Sequence, residues 1–484
     1  MKSRRTALLA VPLIMVLLAL PAGATSAAPQ WHAAKVVSLP SGATGLPNGS
    51  LPALSCPSAG NCEAGGSYLD SKGRVEGLVL NEVKTAWKAP TRLIPPSEAD
   101  ANPEVAINSL SCATAGNCSA AGSFNDTKSH GQSFVANEVN GAWKQALEVN
   151  LPPNAGTSLQ NSQIHSVMCW SPGNCSAIGT YFDNTEPMAY ARGLEVNEVR
   201  GVWGQARETL LPSAANIDPL VNINQVACAR AGNCVAVGSY ITKQNATDAL
   251  MIPEVNGAWK RAIALVLPGD ASVYPSAALS EVTCVSAGNC TAIGTYTDVA
   301  GDSEGMIAAE THGTWARALA MVMPSGAAAN PRTFFFGYGG LDCASIGNCS
   351  AGGQYLVGTS TYEGFLINEV HGTWHTATDM RLPSGALMAG RNGGVVAVSC
   401  RSAGNCSAGA AYVDGANSYQ ALVVNEVAGR WRTGQKITLP TGNNTVGIDG
   451  GVYGLNCHVT GPCTATGSFL KTPTNYEGFT VTTS

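Results

Sequence analysis

The sequence is poor in charge and, beyond its first 20 residues, has no long hydrophobic run. Asp, Glu, Lys and Arg together make up 12% of the 484 residues, and the basic residues are scattered along the chain. Proteins bind nucleic acid mainly through clustered positive charge, so this pattern excludes nucleic acid as a partner. A membrane-spanning helix needs roughly 18 apolar residues in a row, so we predict no membrane span after the N-terminal segment.

Histidine is also scarce, whereas glycine and proline are abundant. The chain has seven histidines, 55 glycines and 26 prolines. Glycine and proline in such numbers interrupt apolar stretches and favour many short strands joined by turns. The sequence contains no motif that calls for a cofactor, and we expect none.

The first 28 residues have the features of a signal peptide. Lys2, Arg4 and Arg5 precede an apolar stretch over residues 7–20, and small residues follow up to Ala28. A basic start, an apolar centre and small residues before the cleavage point are typical of a secretory signal. We therefore predict a signal peptide at residues 1–28 and a single extracellular domain, secreted or at the cell surface, at residues 29–484. An uncleaved membrane anchor is the alternative.

All 16 cysteines fall in eight Cys-x5-Cys pairs whose first members are 56 to 59 residues apart. Seven loops end in Gly-Asn-Cys, and glycine allows the positive φ that a tight hairpin turn requires. Cysteines that flank such a turn lie opposite each other on paired strands, within reach of a disulfide. Zinc binding is the disfavoured alternative, and we expect no metal site. The predicted disulfides are Cys56–Cys62, Cys112–Cys118, Cys169–Cys175, Cys228–Cys234, Cys284–Cys290, Cys343–Cys349, Cys400–Cys406 and Cys457–Cys463.

Each repeat contains patterns for four short strands. One strand ends at the first cysteine, a second begins at the other, and a third ends in Asn-Glu-Val, as in Asn81-Glu82-Val83. A fourth starts at a tryptophan and runs to Leu-Pro. Four strands per repeat predict an all-β, eight-bladed β-propeller of four-stranded antiparallel blades. We expect the recurring glutamates to brace their turns and the tryptophans to pack between blades.

The eighth repeat lacks a tryptophan strand, and the missing piece is present at the N-terminus. Residues 31–40 match residues 374–383 nearly position for position, and both begin with Trp-His. An open solenoid would leave the two halves of this split repeat as bare sheet edges. The split therefore predicts a closed ring, in which residues 29–40 supply the last strand of the eighth blade.

In architecture the sequence resembles secreted repeat propellers of the sialidase-like and kelch-like kinds. Their signature motifs are missing. Val370-His-Gly-Thr-Trp374 lacks the aspartate of the sialidase Asp-box, and only Gly65-Gly66 and Gly352-Gly353 imitate the kelch glycine pair. The resemblance therefore implies a propeller fold and carries over no catalytic residue.

The connections of the blades differ between the two faces of the predicted ring. The first-to-second and third-to-fourth turns are short and repetitive, whereas the other connections are long and dissimilar. Because scaffolds commonly carry their function on variable loops, we place the working surface on the long-loop face. Polar and aromatic residues that break the repeat there are the candidate ligand-binding residues: His165, Glu281, Tyr338, Glu363, Arg391, Asp449, Tyr453 and Glu477.

These observations favour a non-catalytic binding propeller that recognises an extracellular glycan or protein, and acts as a monomer. One alternative is a glycoside hydrolase or lyase, which needs two carboxyl groups within about 10 Å. Its pool of acids comprises Glu281, Asp302, Glu304, Glu363, Asp449 and Glu477. A structural or adhesive role is the other alternative.

Overall fold

The computed structural model describes residues 28–44, 48–156, 161–185, 190–337, 339–387, 393–440, 450–472 and 474–484. These residues form eight antiparallel sheets, as an eight-bladed propeller requires, and contain no helix. The part of the chain that is described accordingly has no helix capable of crossing a membrane. The predicted signal peptide lies outside the described residues, apart from Ala28.

Blades 1 to 7 share one strand order, in which the fourth strand is divided into two pieces of two residues that both pair with the third. The strands of the first four blades, after β1 (Lys35–Val36), are β2 (Ser50–Ser58), β3 (Asn61–Leu69), β4 (Val75–Val83), β5 (Ala86–Trp87), β6 (Thr91–Arg92); β7 (Ala106–Thr114), β8 (Asn117–Asn125), β9 (Gly131–Val139), β10 (Ala142–Trp143), β11 (Leu147–Glu148); β12 (Ser162–Ser171), β13 (Asn174–Phe182), β14 (Ala191–Val199), β15 (Val202–Trp203), β16 (Arg207–Glu208); β17 (Asn222–Arg230), β18 (Asn233–Ile241), β19 (Thr247–Val255), β20 (Ala258–Trp259) and β21 (Ile263–Ala264).

The strands of the last four blades follow the same order, except that blade 8 contributes three. They are β22 (Ala278–Ser286), β23 (Asn289–Thr297), β24 (Ser303–Thr311), β25 (Thr314–Trp315), β26 (Leu319–Ala320); β27 (Leu341–Ser345), β28 (Asn348–Val357), β29 (Thr361–Val370), β30 (Thr373–Trp374), β31 (Thr378–Asp379); β32 (Gly394–Ser402), β33 (Asn405–Val413), β34 (Tyr419–Val427), β35 (Arg430–Trp431), β36 (Gln435–Lys436); β37 (Gly450–Cys457), β38 (Cys463–Thr472) and β39 (Asn475–Thr482).

The cysteine hairpins form as predicted. All eight disulfides are present, with Cα–Cα distances such as 3.9 Å for Cys112–Cys118. In that hairpin Gly116 has a φ of 74°, the left-handed conformation that glycine adopts without strain. Its carbonyl accepts a hydrogen bond of 2.8 Å from the Gly141 amide in the third-to-fourth turn. The two short turns therefore lie on one face of the ring, together with the disulfides.

The ring closes through the N-terminal segment, which confirms the prediction. Strand β1 pairs antiparallel with β39, with Lys35 opposite Thr480 and Val36 opposite Phe479. Trp31 forms a further bridge with Thr483 and is only 6% exposed. On the other side of this seam, β2 of blade 1 packs against β37 and β38 of blade 8. No blade edge is left open at the seam.

Neighbouring blades are joined by a recurring hydrogen-bonded unit, here called the inter-blade link. The asparagine of one Asn-Glu-Val motif donates to the glutamate of the next blade and accepts from the next tryptophan. Asn197 is an example, donating to Glu254 over 2.6 Å and accepting from Nε1 of Trp259 over 2.9 Å. The glutamates thus contact the preceding blade instead of bracing their own turns. Burial raises the pKa of Glu254, and its hydrogen bonds from Asn197 and Ser176 oppose that shift.

The inter-blade link is missing where another residue replaces the asparagine. Pro253, Ala309 and Thr482 stand at that position in blades 4, 5 and 8. In each case the buried Nε1 of the tryptophan in the following blade has no hydrogen-bond partner: Trp315, Trp374 and Trp87. An unpaired buried N–H costs about 1–3 kcal/mol, so these three seams are weaker than the linked ones.

Candidate functional site

The innermost strand of most blades contains a β-bulge near its long-loop end. In blade 3 the pairing with β13 shifts between Ile164 and Ser166, so that His165 is the extra residue. A bulge re-aims one side chain, and here the bulged residues line the central channel. These residues are Asn108, His165, Asn224, Ser280, Val396 and Tyr453.

One half of the channel mouth is polar. It is a cavity of about 400 Å³ lined by Asn108, His165, Asn224 and Ser280, among others. Asn108 and Asn224 also hold the ring together, because each donates to a backbone carbonyl of the next blade, over 2.9 and 2.7 Å. Burial lowers the pKa of His165, and its Nε2 lies 3.2 Å from the Thr180 hydroxyl. Burial of His165 thus favours its neutral imidazole, against a backbone hydrogen bond with Ile223 that acts in the opposite direction.

Blade 6 departs from the repeat on its inner strand. Phe334 pairs with Gln354, and regular pairing resumes only at Leu341. Four residues, 336–339, stand where other blades have a single bulged residue. Two of them, Gly337 and Gly339, have φ values of 76° and 100°, so glycine is needed for this turn. This insertion projects Phe336 into the channel mouth, where it lines both halves.

Glu281 of blade 5 anchors this insertion. It is 1% exposed and accepts a hydrogen bond from the Gly337 amide over 3.2 Å. Burial raises its pKa to about 8, and the nearby backbone amides of residues 337 and 339–341 act in the opposite direction, while its buried Oε2 has no hydrogen-bond partner among the described residues. Glu281 thus lies beneath the mouth and positions Phe336, without lining either half of it.

The other half of the channel mouth is here called the aromatic cleft. It has a volume of about 540 Å³, and its aromatic lining consists of Phe336, Tyr362, Tyr419, Tyr453 and Tyr476. Gln354 supplies an amide, and small residues such as Gly394 and Ala411 leave the space open. A Cβ added at Gly394 would lie 2.7 Å from the Phe336 ring, so the ring packs directly over this glycine.

Three of these tyrosines occupy the same position in successive blades. Tyr362, Tyr419 and Tyr476 pair with Leu356, Val413 and Leu470, each of which lies seven residues after the second cysteine of its blade. The corresponding residues of blades 1 to 5 are smaller: Val75, Gly131, Ala191, Thr247 and Ser303. Tyr419 and Tyr476 are each 42% exposed. The repeat is therefore modified on one side of the ring only.

The other predicted site residues are dispersed. Tyr453 lines the aromatic cleft, and His165 lines the polar half. Glu363 and Glu477 lie on the third strands beside the cleft tyrosines, but neither is among the residues that line the cleft, and Glu477 pairs with Lys471 over 2.7 Å. Tyr338, Arg391 and Asp449 lie outside the described residues.

Sequence reasoning overlooked Tyr419, Asn108 and Asn224. Asn108 and Asn224 are the counterparts, in other repeats, of the selected His165. Tyr419 directly precedes Gln420, the counterpart of the selected Glu363 and Glu477. These residues can be found by comparing each candidate with the residues at the same position in the other blades.

The metal-binding alternatives find no support in the chemistry of the described residues. Two groups of cysteine and glutamate come close together, Cys228–Cys234–Glu254 and Glu63–Cys118–Glu138, but all of their cysteines are in disulfides. The aspartates that follow the second strands accept hydrogen bonds from backbone amides of their own turns. Asp70, for example, accepts from the Lys72 and Arg74 amides over 2.8 and 3.0 Å, and its hydrogen bonds from Arg74 lower its pKa to about 2.

The fold and the channel mouth together define a disulfide-bridged, eight-bladed β-propeller. No family model matches the chain, and no curated protein matches it. Among solved structures it is similar to a polysaccharide lyase, an ulvan lyase, at 10% identity and a TM-score of 0.42, over 93% of this chain and 94% of that one.

Two further solved structures are similar to this chain at a comparable level. A Hadza microbial sialidase is 9% identical with a TM-score of 0.35, covering 69% of this chain and 65% of that one. A subtype N11 neuraminidase-like protein of a flat-faced bat strain is 10% identical with a TM-score of 0.33, covering 64% and 84%. The propeller architecture itself is shown by the eight antiparallel sheets of the described residues.

Proposed function

We propose that the protein is a secreted, non-catalytic binding propeller that recognises a glycan in its aromatic cleft. The observation that carries this proposal is the row of Tyr362, Tyr419 and Tyr476, which three successive blades contribute to one cleft. Aromatic rings present flat apolar faces, and the tyrosine hydroxyls add hydrogen-bonding groups at their edges. The C–H faces of sugar rings stack on such surfaces, while amides such as Gln354 bind sugar hydroxyls.

The lining of the channel mouth favours binding over hydrolysis. Within the described residues, neither the aromatic cleft nor the polar half is lined by Asp or Glu. A glycoside hydrolase generally needs two carboxyl groups flanking the scissile bond, within about 10 Å of each other. Among the acids that sequence reasoning selected, Glu281 is buried beneath the mouth and Glu477 is paired with Lys471.

An extracellular location follows from the same proposal. Eight disulfides and no free cysteine are typical of proteins that fold in an oxidising compartment. The ligand is therefore an extracellular glycan, bound by a monomer without a cofactor. An extracellular protein ligand remains the alternative at the same cleft.

Screening residues 29–484 on a glycan array tests the proposal, followed by titration of the best ligand against variants. We expect Tyr419→Ala and Tyr476→Ala each to weaken binding by about tenfold or more, because each removes a stacking surface worth about 1.4 kcal/mol or more. The matched control is Tyr274→Ala, since Tyr274 is 62% exposed and lies outside the cleft.

Three outcomes would overturn the proposal. They are the absence of binding to any glycan, equal binding by the cleft variants and the control, and release of new reducing or unsaturated sugar ends during incubation. The last result would show that the cleft belongs to an enzyme.

A further inference from the structure

The outer edge of the ring carries a second groove, separate from the channel mouth, between blades 6 and 7. It has a volume of about 480 Å³ and is lined by Arg381 of blade 6 and by Arg430 and Arg432 of blade 7, with His375 beside them. These four residues are all exposed to solvent. We call this feature the arginine groove.

The arginine groove lies at one of four seams that, within the described chain, lack a bridge present at the other four. In blades 2 to 5 a long side chain, two residues after the repeat tryptophan, donates to a carbonyl in the segment that follows the outer strand of the preceding blade. Gln145 donates to Pro95 over 3.1 Å and Arg317 to Leu267 over 2.7 Å, and Gln205 and Arg261 form equivalent bonds. Blade 7 has Thr433 at this position, which is too short to span the gap, and blades 1, 6 and 8 likewise have the short residues Ala89, Thr376 and Ala33.

Two of the arginines are exceptions to the repeat. Arg381 occupies a position that is uncharged in the other blades, where residues such as Ile94, Val266 and Thr438 stand. Arg430 likewise replaces small or uncharged residues such as Ala142 and Thr314. The unbridged seam and these two cations coincide in a chain whose net charge is −5, so bulk charge does not account for the cluster.

The arginines are also available for a ligand. Among the described residues, the ion pairs involve Arg74, Arg92, Arg192, His130 and Lys471, and none involves Arg381, Arg430 or Arg432. The one acid that lines the groove, Asp379, accepts a hydrogen bond from the Tyr355 hydroxyl over 2.6 Å. Three guanidinium groups facing one acid give the groove a net positive charge.

From this arrangement we infer that the arginine groove is a second binding site, for an acidic polysaccharide that carries sulfate or uronate groups. Arginine binds such groups through two parallel hydrogen bonds, and its planar fork fits sulfate and carboxylate alike. Anionic groups repeated along one polymer can reach Arg381 on one wall and Arg430 and Arg432 on the other. The inference rests on the proposed function only in its choice of a glycan over an acidic peptide.

The test is to titrate residues 29–484 with heparin oligosaccharides, with alginate oligosaccharides and with neutral cello-oligosaccharides at low and at 0.5 M salt. We expect both anionic probes to bind at low salt, and binding to weaken steeply at high salt. The double variant Arg430→Ala/Arg432→Ala should lose at least tenfold in affinity for them. The matched control is Lys260→Ala, which removes a cation at the blade position of Arg432 but beside a bridged seam.

Two further measurements distinguish a failure of this inference from a failure of the proposed function. Tyr476→Ala should leave heparin binding unchanged, and the arginine variant should leave binding to the best array glycan unchanged. Equal heparin binding by the arginine variant and the control would overturn the second site, as would no binding of either anionic probe. Binding of poly-glutamate as tightly as heparin would refute the polysaccharide assignment and identify an acidic peptide as the ligand.

Discussion

Replacing Ala309 with asparagine should restore an inter-blade link that blades 5 and 6 lack. The new amide would donate to Glu369 and accept from Nε1 of Trp374, as Asn368 does with Glu426 and Trp431 one blade later. Thr291 pairs with Ala309 and takes the place of Ser350, whose hydroxyl donates to Asn368 over 3.1 Å. Every partner that the new side chain requires is thus already present.

The size of the effect follows from the unpaired groups. The buried Nε1 of Trp374 has no partner, and leaving such a group unpaired costs about 1–3 kcal/mol. Ordering the asparagine side chain costs up to about 1 kcal/mol, so we expect a net gain of about 2 kcal/mol in the free energy of unfolding. Because the entropy of unfolding grows with chain length, this gain raises Tm by only about 2 °C.

Chemical denaturation with intact disulfides is the better assay, since it measures the free energy directly. The gain should shrink in a Trp374→Phe background, where the N–H group is missing. The converse variant, Asn197→Ala, should destabilise the protein by about 2–4 kcal/mol, because it leaves Nε1 of Trp259 unpaired and Glu254 with only its hydrogen bond from Ser176. An Ala309→Asn variant with no gain, or with a gain that Trp374→Phe leaves intact, would refute the link as an energetic unit.

Two further predictions concern the closure of the ring and its response to pH. Removing residues 29–40 takes away β1 and the Trp31 bridge, and should lower Tm by at least 10 °C in calorimetry; an unchanged Tm would contradict the observed closure. The pKa of Glu281 is raised to about 8 in the folded state, so its contribution to stability is complete below about pH 4.3 and is lost as pH rises through 8. The free energy of unfolding of Glu281→Gln, measured relative to the parent protein in denaturant titrations, should therefore be more favourable at pH 8 than at pH 5. The opposite trend would contradict a raised pKa for Glu281.

The fold could be predicted almost completely from the sequence because it repeats. The spacing of the cysteines determines the number of blades, and the displaced Trp31 repeat determines how the ring closes. The role of the glutamates could not be deduced in the same way. Glu254 forms its hydrogen bonds with Asn197, 57 residues earlier, and no pattern within one repeat shows that these two side chains meet.

The candidate site was harder to predict, because it depends on which breaks in the repeat share a cavity. His165 and Tyr453 were selected as exceptions near the inner strands, and both line the channel mouth. Glu281 was selected for the same reason but turns inward, because the three-residue insertion in blade 6 presents amides such as that of Gly337 to its carboxylate. That insertion alters a neighbouring blade, and its effect is visible only in three dimensions.

The placement of the disulfides has a consequence for local opening of the strands. All eight crosslink hairpins on the short-turn face, whereas the strand ends at the channel mouth carry no covalent constraint. Local opening in proteins begins where backbone hydrogen bonds are least protected. Amide exchange should therefore be graded along each strand, slow beside the cysteines and fast at the opposite end. A rigid base and a more flexible rim would let the mouth change shape while the ring stays intact.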